Sequence, residues 1–160
     1  MYQENTYELI GRATVSWSSV ELGWYLIYLT VSHANRDEAD AVYFTPNNST
    51  TERKVTRNIA AVSLATHPQL IADLKTLDSR TNDMASDRNA IAHGKFIFSS
   101  NKADTSVLMW EVGKNKLIGK DLDDALKDMD FRFQALADDL NLMMYRACSA
   151  LGKEPPSIEK

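Results

Sequence analysis

The amino-acid sequence predicts a mainly α-helical fold, a four-helix bundle with a small antiparallel β-hairpin or meander inserted before the last helix. Three observations predict it. Apolar residues recur at alternating steps of three and four across four separate stretches, the spacing of one buried helical face. Residues that start and stop helices bracket those stretches. Between Gly94 and Asp121 the period changes to that of short strands and turns.

The first helix covers residues 9–31. Ile10, Ala13, Trp17, Val20, Trp24, Ile27 and Val31 form one apolar face, and Leu22, Leu26 and Leu29 add a second. Only Arg12, Ser16, Ser19, Gly23 and Thr30 remain as a narrow polar stripe. So apolar a surface predicts a helix surrounded by other helices or by a second subunit. Glu21 falls inside the apolar arc, between Trp17 and Tyr25.

Residues 33–50 read as polar and irregular, with a turn at Pro46-Asn47-Asn48. Ser49-Thr50-Thr51-Glu52 fits a capping box that opens the second helix. Its inward side is Val55, Ile59 and Val62, and its outward side is Arg53, Lys54 and Arg57. The third helix runs from Pro68, suited to a first turn, to His93. Its stripe is Leu70, Leu74, Leu77, Thr81, Met84, Arg88 and Ile91, and Gly94 is the terminator that leaves His93 on the last turn.

Strands are predicted over 95–98 and 107–112, joined by a loop at 101–104, with a third short strand at 116–118 after Gly113-Lys114-Asn115. Asp121 then caps the last helix. Leu122, Leu126, Met129, Phe133, Leu136, Leu140, Met143 and Ala147 make the cleanest stripe in the chain, and Gly152 ends it. The chain thus reads as one domain over 1–152 with a flexible C-terminal tail at 153–160.

Composition narrows the functional classes. A single cysteine, Cys148, excludes an internal disulfide framework and suits a reducing compartment. No apolar run reaches the roughly 18–20 residues that cross a bilayer. Met1-Tyr2-Gln3-Glu4-Asn5 lacks the pattern of a secretory signal. These features predict a soluble, cytoplasmic protein with no membrane partner. A net charge of −4 gives no general attraction for nucleic acid, and seven aspartates from Asp121 to Asp139 make the last helix acidic. His33, His67 and His93 lie far apart, and Asp121, Asp123 and Asp124 open a helix without the spacing of a calcium loop. Phosphate-binding loops, dinucleotide turns and triad signatures are missing as well. The sequence therefore predicts neither a metal nor a cofactor.

One arrangement stands out, Asp87-Arg88-Asn89-Ala90-Ile91-Ala92-His93-Gly94. An arginine in an inward helical slot needs an acceptor, either a carboxylate such as Glu21, a backbone carbonyl or an anionic ligand. Arg88 and His93 lie about 140° apart around an ideal helix, so they can flank one ligand. The macrodipole favours a protonated imidazole at a helix C-terminus, near the range where proton transfer is effective. Arg53, Arg57 and Arg80 are the candidate basic residues nearby.

Arg88-Asn89-x-x-x-His93, late in a bundle helix, resembles the R-x4–6-H motif of HEPN domains (higher eukaryotes and prokaryotes nucleotide-binding). The helical order over most of residues 7–151 agrees with that family, and the motif residues carry the resemblance. It implies a homodimer with metal-independent RNA endonuclease activity, of toxin or phage-defence type. Arg88 would hold the scissile phosphate, His93 would transfer the proton, and Asn89 would orient the ligand or the partner motif. An antitoxin or a nucleotidyltransferase-type protein is the partner that the family implies. The alternative is a non-catalytic dimeric interaction module in which Arg88 pairs structurally with Glu21 and His93 bonds terminal carbonyls.

Overall fold

A computed structural model of the chain describes residues 2–94, 96–97, 108–109, 116–118 and 120–157. Five helices dominate: α1 (Tyr2–Ser32), α2 (Arg36–Tyr43), α3 (Ser49–Ser63), α4 (Pro68–Ala92) and α5 (Leu122–Leu151). The mainly α architecture is as predicted, while the four-helix bundle with an inserted hairpin is corrected in two respects. The fifth helix is α2. The side chain of Asn35 accepts the Glu38 backbone N–H, and Ala39 and Tyr43, one turn apart, are buried. Eight residues are too few to show a helical period in a window of 11–18.

The second correction concerns the segment before α5. Among the described residues there is no hairpin or meander layer, only a two-residue antiparallel bridge in which Phe96 faces Met109 and Ile97 faces Leu108. Residues 116–118 form a turn instead of a third strand. The remainder of the predicted strands, the loop at 101–104 and the turn at 113–115 lie outside the described residues.

The core is built on α1 against α5. Every residue of the predicted α5 stripe is buried, Asp121 caps the helix through the Asp124 N–H, and Gly152 ends it at φ 62°. Trp17 meets Phe133 edge-on with ring centroids 5.1 Å apart. The polar stripe of α1 is only partly at the surface, because Ser16, Gly23 and Thr30 are buried in this seam. Ser16 Oγ donates to Asp130 Oδ1 at 2.6 Å, and Thr30 Oγ1 lies 3.6 Å from Cys148 Sγ. A Cβ on Gly23 would stand 2.8 Å from Leu140 Cβ. Small residues seven apart thus let two long helices approach closely. The apolar faces that suggested a second subunit are largely consumed inside one chain.

The face of α3 is corrected in part: Val55 and Ile59 pack against the core and Lys54 is exposed, as predicted, whereas Arg53 and Val62 exchange sides. Val62 is exposed, Val55 and Ile59 are half-buried, and the buried positions are Arg53, Thr56 and Ala60. The cap is Asn48, one residue before Ser49, and its side chain accepts the N–H groups of Thr50 and Thr51. Residues 153–157 lie against the end of α1 and the start of α2, where Lys153 Nζ donates to Thr30 O at 2.6 Å and Arg36 Nη1 to Ser157 O at 2.7 Å. No helix among the described residues is long and apolar enough to cross a membrane.

Candidate functional site

The C-terminal turns of α4 are fixed from one side. Asp87 is buried and accepts from Arg132 Nη1 of α5 at 2.9 Å, with Lys116 Nζ at 3.5 Å. Arg88, the next residue, is turned about 100° away from that anchor and emerges beside α1. Its side chain is 41% exposed, so the inward slot that the stripe predicts is corrected to a boundary position. The reason is the shape of arginine, whose aliphatic stem packs while its charged head stays in water.

The guanidinium is loosely held. Arg88 Nη1 donates to Asn89 Oδ1 at 3.1 Å, and Nη2 lies 3.8 Å from Glu21 Oε1. That same carboxylate oxygen accepts the indole N–H of Trp17 at 2.8 Å. Glu21 is itself 44% exposed. Asn89 is exposed, and so is His93, which forms the C-cap of α4 at φ −110°. The backbone N–H of His93 bonds to Asn89 O and Ile91 O, whereas its imidazole has no hydrogen-bond partner among the described residues.

Two depressions meet at Arg88 and Glu21. A cleft of about 650 Å³ is walled by α1, the end of α2, the start of α3 and Arg88. A smaller groove of about 140 Å³ runs between α1 and α4 past Ser18 and Arg88 to Ala92, the residue before His93. The cleft brings together groups that no motif joins in the sequence: Leu22, Tyr25, Tyr43, Phe44 and Glu52. Tyr25, Tyr43 and Phe44 form one ring cluster, with centroids 5.1–5.3 Å apart. Burial pushes the Tyr25 phenol up to about 12, helped by its hydrogen bond to Asp40, and burial likewise raises Tyr43. Burial also raises the carboxyl of Glu52, against a lowering hydrogen bond from the Asn48 backbone, and the neighbouring charge of Glu21 adds to the rise. Density of aromatic residues around Tyr25, Tyr28 and Tyr43 is the one signal in the sequence that hints at this wall.

The candidate basic residues are not brought to this site as free cations. Arg53 is buried, with Nε donating to Asp78 Oδ1 at 3.0 Å and Nη2 to Asn82 Oδ1 at 2.5 Å. Its predicted outward position is thus corrected, because Asp78 and Asn82 stand one turn apart on α4 and form a socket for it. Arg57 shares Asp78 at 3.1 Å, and Arg80 pairs with Asp139 at 2.6 Å. Among the described residues, no group of three or more histidines, cysteines or acids is arranged to hold a metal ion. In comparisons with known proteins, no family model matches the chain, and no curated protein or solved structure matches it.

Proposed function

We propose that this chain is a HEPN-like RNA endonuclease that acts without a metal, as a homodimer, through Arg88, Asn89 and His93. One observation carries the reading. The three polar side chains of the motif reach solvent together on the last turns of α4, and none is committed to a buried partner. A loosely paired guanidinium can exchange its carboxylate for a phosphate and donate two parallel hydrogen bonds to it. Asn89 Oδ1 accepts from Arg88 and so helps aim it.

The chemistry needs little more, because RNA carries its own nucleophile. The 2′-oxygen attacks phosphorus, its proton passes to an imidazole nitrogen of His93, and the bond to the 5′-oxygen breaks. The departing oxygen takes up a proton, and a 2′,3′-cyclic phosphate remains. Arg88 stabilises the charge that builds on the phosphoryl oxygens. Exposed Tyr7, Val15 and Leu22 on α1 support a second copy seated along that helix. A toxin or phage-defence role, with an antitoxin or nucleotidyltransferase-type partner, follows from the family resemblance alone.

The test is incubation of the wild-type protein with single-stranded RNA in EDTA. Cleavage leaving cyclic phosphate ends is expected, and Arg88→Ala and His93→Ala each reduce it by roughly a hundredfold or more with helical content unchanged. Intact RNA with the wild-type protein overturns the reading.

A further inference from the structure

We infer that the cleft beside Arg88 is a binding subsite for a guanine nucleotide, the residue whose phosphate the arginine holds. The inference rests on the nuclease reading for its place in a reaction, while the binding itself can be measured without any cleavage. At about 650 Å³ the cleft falls within the range of small-molecule sites, roughly 300–1,000 Å³, and so has room for a mononucleotide.

Three of its walls have distinct chemistry. Phe44 is 56% exposed at the cleft and is braced from behind by Tyr43, whose ring meets it nearly perpendicular, at 88°. A braced, solvent-facing ring is a platform on which a base can stack. Glu52 lines the cleft as a half-buried carboxylate on the first turn of α3. Arg88 stands where the cleft meets the groove that leads to Ala92.

The carboxylate selects the base. A carboxylate only accepts hydrogen bonds, so it favours a base edge that presents donors side by side. Guanine does so with its N1–H and its 2-amino group. Adenine and cytosine each set an acceptor nitrogen next to their amino group, and uracil flanks one N–H with two carbonyls. Glu52 is the better selector than Glu21, because it forms no ion pair among the described residues, whereas Glu21 Oε1 accepts from Trp17 and faces the Arg88 cation. With the base on Phe44 and Glu52, the phosphate falls to Arg88. The RNA then continues along the groove.

The experiment titrates GMP, AMP, CMP and UMP into the intact protein in EDTA, read by calorimetry. GMP is expected to bind tightest. Glu52→Gln should weaken GMP by roughly tenfold or more while leaving AMP nearly unchanged, since a hydrogen bond to a charged acceptor is lost. Arg88→Ala should weaken all four nucleotides by a similar factor and leave guanosine unaffected. Because Glu52 also lies in the acidic first turn of α3, Phe44→Ser is the second variant, and it should weaken every nucleotide with the fold unchanged. No saturable binding, or GMP binding no tighter than AMP in the wild-type protein, overturns the inference. GMP selectivity in a protein that leaves RNA intact supports the subsite and rejects the nuclease reading. RNA cleavage with no nucleotide binding does the reverse.

Discussion

Arg53 and Arg88 make contacts of opposite kinds at two surfaces of α4. Where α3 meets α4, Arg53 has a side-chain exposure of 3% and is gripped by Asp78 and Asn82. Beside α1, Arg88 is 41% exposed and stands 3.8 Å from a single shared carboxylate oxygen. Residue type does not separate them. What differs is the partner set, two acceptors one helical turn apart in a buried socket in the first case, and in the second an exposed neighbouring amide and one already occupied carboxylate oxygen. A cation in a socket serves the fold, and a cation left with an exchangeable partner is available for a ligand.

The largest effect should come from emptying the socket. Asp78→Ala leaves Arg53 buried without its carboxylate and frees Arg57 from its ion pair. Breaking a buried pair from one side typically costs about 3–5 kcal/mol. Urea denaturation should report a loss of that order. A loss below about 1 kcal/mol, the scale of a surface pair, would erase the contrast with Arg88.

Asp130 offers a milder version on the α1–α5 seam. Burial pushes its carboxyl up, but hydrogen bonds from Ser16, Gln134 and Arg12 outweigh that and hold it below the usual 3.8. A carboxyl lowered by folding contributes stability that is complete above its unfolded value and is lost as pH falls through the folded one. Hydrogen bonds to a charged group are worth about 1.5–3 kcal/mol, so Asp130→Asn should cost about that much near pH 6. The gap between variant and wild type should shrink as pH drops below 3.8. A gap that stays constant from pH 6 to pH 3 would show that the seam does not depend on the charge.

The same contrast explains what was legible in the sequence. α5 could be read in full because its cap, its stripe and its glycine stop all agree. The apolar stripe of α1 was equally plain, yet the burial of Ser16, Gly23 and Thr30 was not, since it depends on how closely α5 approaches. On α3, Val55, Ile59 and Lys54 follow the predicted faces, whereas Arg53 turns inward and Val62 outward. Its interior carries one small apolar residue, Ala60, and an arginine whose acceptor lies 25 positions away on another helix. No local pattern shows such a partner. At the candidate site, the Arg88-Asn89-His93 spacing was visible, whereas the exposure of its members was not. The cleft was hidden because Leu22, Phe44, Glu52 and Arg88 come from four separate stretches of chain.

The smallest effect should appear at Arg88 itself, and it carries the most functional meaning. Arg88→Ala removes one long ion pair between two half-exposed side chains, worth about 0–1 kcal/mol, and one exposed hydrogen bond to the adjacent Asn89. His93→Ala, on an exposed cap without a side-chain hydrogen bond among the described residues, should stay within about 0.5 kcal/mol. Denaturation midpoints of both variants should therefore sit close to that of the wild type, far from that of Asp78→Ala. A loss of 2 kcal/mol or more in Arg88→Ala would mean that the arginine is committed to the fold after all. Its claim on a phosphate would then fail on stability alone, before any RNA is added.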